Sequence, residues 1–183
     1  MENFKDLYKE HEAIITNKLP EIKHVDLWHE QVGFLQSEHP FKAPAVFFAY
    51  RILKAEDQGE KTQNVTLGID VYYYYETFAD THRRSKKQNK ALDFLDTLTK
   101  IHAVFHGSSG TNYCEMRRVG FQPVETGTAN ILYVQRFECI IVDSSARVLF
   151  EDVPNEDIDI QITNEAILPV EIEDSSYVID MRH

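Results

Sequence analysis

The stretch Val65-Thr66-Leu67-Gly68-Ile69-Asp70-Val71-Tyr72-Tyr73-Tyr74-Tyr75 decides the fold. Every odd position is apolar or aromatic, and Thr66, Gly68 and Asp70 interrupt the even ones, a period of two that a pleated strand presents on one face and a helix cannot. Val65, Leu67, Ile69, Val71, Tyr73 and Tyr75 therefore predict a core-facing row about 35 Å long, at about 3.3 Å per residue. The opposite row runs Asp70, Tyr72, Tyr74 and on to Glu76, mixing charge with aromatic area. Aromatic side chains offer large contact area at little entropic cost, so this second face predicts a protein–protein surface, with Asp70, Tyr72, Tyr74 and Glu76 as interface residues.

Working outward, residues 45–53 form a near-continuous apolar and aromatic run that predicts a partner strand. The polar residues 54–64, with Gly59 at their centre, predict a projecting hairpin loop. Upstream, Phe4, Leu7, Tyr8, His11, Ile14 and Ile15 recur at helical steps, so residues 2–18 predict an amphipathic helix that stops before Pro20. Residues 22–28 fit either a short extended segment or the start of a helix running to Leu35.

Downstream, Ser85 and Gln88 have capping-box spacing. The stripe Ala91, Leu92, Leu95, Leu98, Ile101, Val104 and Phe105 then predicts a helix ending at Gly107, with Leu92, Leu95 and Leu98 in the core. Residues 112–121 and 129–142 alternate as a second hairpin, with Ile131, Tyr133, Phe137, Cys139 and Ile141 on one face. The reading is an α+β domain over residues 1–150: two hairpins in a mostly antiparallel sheet, with two helices on one face.

Charge sets residues 151–183 apart as an acidic C-terminal arm. They hold ten acids against the single base Arg182, so −9 of the formal net charge of −11 lies there and −2 remains for the rest. A nearly neutral body with an acidic appendage argues against nucleic-acid affinity, which needs clustered Lys and Arg. The one basic cluster, Arg83, Arg84, Lys86, Lys87 and Lys90, reads as a solvated helix start. In the arm, the alternation Asp157-Ile158-Asp159-Ile160-Gln161-Ile162 fits either a flexible tail or an extended piece that adds a strand to a sheet edge. Cys114 and Cys139 lack CxxC spacing, which predicts reduced thiols. Residues 1–20 lack the apolar core of a signal peptide, and no run approaches the roughly 20 apolar residues of a membrane span. Together these predict a soluble protein made in the cytoplasm.

A search for reaction chemistry leaves little. His102 and His106 have metal-chelating spacing but no intervening HExxH glutamate and no third ligand placed by sequence, so they read as helix-end histidines. His24, His29 and His39 read as surface residues. Gly107-Ser108-Ser109-Gly110 reads as a turn and not a nucleophile elbow. Asp70 lacks the Glu-x-Lys complement of a nuclease, Asp157 and Asp159 lack a calcium loop's glycine, and no glycine has phosphate-loop spacing. The expectation is a non-enzyme with no metal.

Residues 22–31 (IKHVDLWHEQ), 40–48 (PFKAPAVFF), 69–76 (IDVYYYYE) and 91–96 (ALDFLD) resemble the small tail-completion proteins of long-tailed bacteriophages. The helix-hairpin-helix-hairpin order is similar to that of the tail terminator family, over roughly residues 1 to 145. That resemblance implies a virion structural protein of the tail or neck, without a cofactor. It would form a ring, usually of six subunits, that caps the tail tube and joins it to a head-completion, stopper or portal-side neck protein. DNA would pass through the channel without specific binding, kept from sticking by negative walls. The alternative from another class is a host or mobile-element binding module that uses the same aromatic sheet face for a different partner.

Overall fold

The computed structural model describes residues 2–32, 40–77, 80–126 and 130–147, all within Met1–Phe150, the first of the two units into which the chain divides. The arm at residues 151–183 lies outside the described residues. Helix α1 (Glu2–Lys18) leads into strand β1 (His24–Leu27), and the long hairpin β2 (Ala45–Asp57) and β3 (Gln63–Tyr75) follows. Helix α2 (Gln88–Phe105) precedes the second hairpin, β4 (Cys114–Pro123) and β5 (Ile131–Asp143). One five-stranded sheet of order β1-β2-β3-β5-β4 results, parallel only between β1 and β2, so the domain is α+β with a mostly antiparallel sheet.

β3 sits at the centre because it alone has a full apolar row to bury. Val65, Leu67, Ile69, Val71 and Tyr73 are each 1% exposed or less and share one cluster with Leu7 and Ile15 of α1 and with Phe94, Leu98, Ile101 and Phe105 of α2. Both helices therefore cover the same, inner face. Gln135 interrupts the apolar row of β5 there without cost, since its Nε2 donates to the Leu98 carbonyl and its Oε1 accepts from Arg118. His11 lies wholly buried between α1 and the sheet. Its Nδ1 is 3.0 Å from the Tyr50 hydroxyl, and the rings of Phe48, Tyr50, Phe105 and Tyr113 surround it.

A clasp ties α1 to the start of the second hairpin. The Glu10 carboxylate accepts from the Thr111 amide at 2.7 Å, and from the Asn112 amide and side chain at 3.0 and 2.8 Å. A Cβ on Gly110 would collide with Glu10 Oε1, so the clasp requires glycine there.

One open alternative is decided and three sequence expectations change. Residues 22–28 resolve as extended chain: β1 pairs with residues 45–48, and no helix starts there. The expected loop at 54–64 is mostly strand, because Lys54 through Asp57 pair with Gln63 through Thr66 and leave only residues 58–62 to turn. α2 has no capping box: its N-cap is Lys87, with no side-chain cap bond, while Ser85 Oγ accepts from the Lys87 amide and Gln88 Nε2 donates to the Thr81 carbonyl. Leu95 is 41% exposed and not in the core; the buried set of α2 is Ala91, Phe94, Thr97, Leu98, Ile101 and Phe105.

Candidate functional site: the outer face of the sheet

The face of the sheet turned away from the helices divides into two halves. Near Tyr72 and Tyr74 the chain covers itself. Trp28 and Val32, which follow β1, and Phe41, which precedes β2, pack with Phe47, Tyr72, Tyr74 and Leu132 into a second, smaller cluster. The Trp28 and Tyr72 rings stack at 4.1 Å with an interplanar angle of 10°, and Phe41 meets Tyr74 edge-on at 5.2 Å. This cover is the physical reason that the half-aromatic row exists, since β3 here is apolar on both faces to serve two cores.

Of the four residues expected on this surface, Tyr74 is fully buried and its hydroxyl donates to Glu76 Oε1 at 2.6 Å. Tyr72 is half-buried under Trp28, its hydroxyl held above the ordinary range by burial and then by the Asp70 charge. Glu76 is exposed. Asp70 is 6% exposed and is not a freely solvated residue.

Asp70 instead anchors the open half of the face. Arg51 on β2 donates from Nη1 to Asp70 Oδ2, and Arg136 on β5, its direct cross-strand neighbour, brings Nε to 3.7 Å from Oδ1. The two guanidinium groups thus bracket one carboxylate from both flanking strands. Gly68 makes this possible: a Cβ there would lie 3.1 Å from Arg51 Cγ and 3.2 Å from Leu53 Cδ2, so both side chains lie flat across the glycine. Beyond the ion pair the surface turns apolar, with Leu53 at 44%, Ile140 at 40% and Val142 at 60% exposure. Arg51 and Arg136 escaped the sequence reading, although each is the one base in its strand run, 45–53 and 131–142 respectively.

The sheet's two edges differ as sharply as its two faces. On β4, the turn after α2 occupies the outward backbone groups of Met116 and the amide of Arg118. Gly107 donates to the Met116 carbonyl, the Met116 amide to Ser108, and the Arg118 amide to His106 Nδ1 at 3.1 Å. His106 is also the C-cap residue of α2, its own amide donating to the His102 carbonyl; its ring lies 4.8 Å from that of His102, whose pKa is lowered by partial burial and by Arg118. On the other side, β1 covers only residues 45–48 of β2, and residues 49–57 have no neighbour beyond them among the described residues.

Among the described residues no group of three or more His, Cys, Asp or Glu is placed to hold a metal ion, and no helix is long and apolar enough to cross a membrane. Ser108 of the Gly107–Gly110 turn donates to the Phe105 carbonyl and lies 3.0 Å from the Tyr113 hydroxyl, a structural role. His24 is half-buried against Phe41, His29 is exposed, and His39 lies outside the described residues. What the arrangement offers chemically is contact: a fixed ion pair, a rim of apolar side chains and an open strand edge. No family model and no curated protein matches this sequence.

Proposed function

We propose that the protein is a structural component of a bacteriophage tail or neck, a terminator-type subunit that assembles into a ring, caps the tail tube and joins it to the head connector. The carrying observation is the open half of the outer face, where Leu53, Ile140 and Val142 stand 40–60% exposed around the Arg51–Asp70–Arg136 group. An apolar patch with a charged, pre-ordered centre is the composition of a protein interface: apolar contact supplies affinity and the ion pair supplies orientation. Ring closure needs a heterologous contact, one patch of each subunit on a different patch of the next, and this half-face is a patch of suitable kind. Apart from the added short strand β1, the elements follow the order helix, hairpin, helix, hairpin on which the resemblance to tail terminators rests, and this supports the same reading.

Sedimentation-velocity analysis of the full chain, alone and mixed with isolated tail tubes, tests the proposal. A closed ring, free or on tube ends, is the expected species; a protein that neither forms a closed ring nor binds tube ends refutes it. The same half-face supports the second reading, a binding module with an unrelated partner, for which a monomer or dimer with no affinity for tubes is the expected result.

A further inference from the structure

The geometry points to the edge of β2 that no described strand covers, residues 50–57, as a self-pairing site: two copies of this chain join these edges antiparallel about a two-fold axis between Leu53 and Lys54, fusing two sheets into one. The argument starts from which backbone groups point outward. Lys23 donates to the Pro44 carbonyl and Trp28 to the Phe48 carbonyl, so even-numbered residues of this part of β2 aim their N–H and C=O away from β3. Tyr50 and Ile52 continue that pattern past the end of β1. Then the register shifts between Ile52 and Lys54, Leu53 being the extra residue, and the outward set becomes Ala55 and Asp57.

The outward residues 50, 52, 55 and 57 are therefore symmetric about the midpoint of 53 and 54. Laid antiparallel on itself, the edge pairs Tyr50 with Asp57 and Ile52 with Ala55 as mutually hydrogen-bonding positions, and it pairs Arg51 with Glu56. Without the bulge this register would set outward groups against inward ones.

Side chains agree with the backbone. Arg51 and Glu56 both lie on the outer face, opposite Gly68 and Asn64 of β3, and opposite charges meet twice across the axis. Each Glu56 already binds Lys54 of its own strand, and each Arg51 binds Asp70, so the two networks join end to end. Ile52, 52% exposed on the inner face, meets Ala55. The lengths match as well: where one strand turns at Gln58, the other's β1 begins to cover its β2 at Phe48. An edge strand of this length exposing Ile52 and Leu53 is otherwise an aggregation liability. A two-fold contact cannot propagate around a ring, so the pairing is independent of the proposed function and stands if that reading fails.

The test is register-specific cross-linking in the full chain carrying Cys114→Ser. Ile52→Cys with Ala55→Cys places thiols opposite each other only between copies, because three residues of extended chain hold them about 10 Å apart within one copy, beyond disulfide reach. Mild oxidation is expected to convert most of the double variant to a covalent dimer reversible by reductant, while Ile52→Cys alone stays below a tenth of that yield. Ala55→Pro removes an outward amide without breaking the β2–β3 ladder, and in the Cys114→Ser chain it is expected to weaken the dimer at least tenfold in sedimentation equilibrium, with an unchanged circular-dichroism spectrum. A monomer at all concentrations, or an oligomer in which the double variant does not cross-link, overturns the inference.

Discussion

Acidification should destabilise this protein through one residue, His11, and the size of the effect follows from its surroundings. The ring is enclosed by Phe48, Tyr50, Phe105 and Tyr113, and among the described residues Nε2 has no hydrogen-bond partner. Burial therefore pushes its pKa from 6.5 down to about 4, with Glu10 opposing the shift. In the unfolded chain the imidazole takes its proton near pH 6.5, whereas the folded protein resists until about pH 4. Across that window the unfolded state binds more protons, so stability is complete above pH 6.5 and declines as pH falls. At about 1.4 kcal/mol per pKa unit the full loss is about 3 kcal/mol, and about 2 kcal/mol of it has gone by pH 5.

Urea melts at pH 7 and pH 5 measure this directly, with His11→Gln as the reference that cannot titrate. The variant starts less stable, having lost the imidazole's packing, but should lose about 2 kcal/mol less than the wild type between the two pH values. Carboxylates other than Glu10 contribute equally to both proteins and cancel. Equal losses would mean that His11 is charged or solvated in the folded protein, and the enclosed-ring account would be wrong.

Leu98→Ala should cost about 2 to 5 kcal/mol in denaturant melts, because Leu98 is 3% exposed beneath the sheet, whereas Leu95→Ala at 41% exposure should stay within about 0.5 kcal/mol. Gly110→Ala should open the Glu10 clasp, read as at least tenfold faster hydrogen exchange at the Thr111 and Asn112 amides; unchanged exchange would show that α1 yields instead. Asp70→Ala should cost about 2 kcal/mol, less than for a fully buried pair because Arg51 and Arg136 can turn to water. Trp28 is the chain's one tryptophan, so Tyr72→Leu should change the emission intensity of the native protein at unchanged far-ultraviolet circular dichroism, and an identical spectrum would place Trp28 off the Tyr72 ring.

The inner face was legible because its signal is local: the odd positions of residues 65–75 announce one buried row whatever lies above them. The outer face was not. Its cover comes from Trp28, Val32 and Phe41, which sit in stretches with no periodicity, and their destination depends on the parallel pairing of β1 with β2. Residues 54–57 read as loop because an edge strand beyond the core has no apolar row to display, even though Asp57 pairs with Gln63. Leu95 misled for a geometric reason. Steps of three advance about 300° around a helix, so Leu92, Leu95 and Leu98 drift off one face, whereas the buried Ala91, Phe94, Leu98, Ile101 and Phe105 mix threes and fours and hold it. In the interface expectation, composition identified Asp70 as unusual, but only the register with Arg51 and Arg136 explains why a carboxylate tolerates that position.

The bonds that Gly107, Ser108 and His106 make with the Met116 and Arg118 backbone of β4 also set a local limit on growth. A sheet open at both ends can be extended by copy after copy, and the product is a fibre of no defined length. Here the stretch of β4 at Met116 and Arg118 is taken by the turn after α2, so among the described residues a strand added at β2 finds no matching docking point at that stretch of the opposite edge. Along that stretch of β4, edge-to-edge hydrogen bonding has no amide left to continue through, and the sheet is closed there by its own chain.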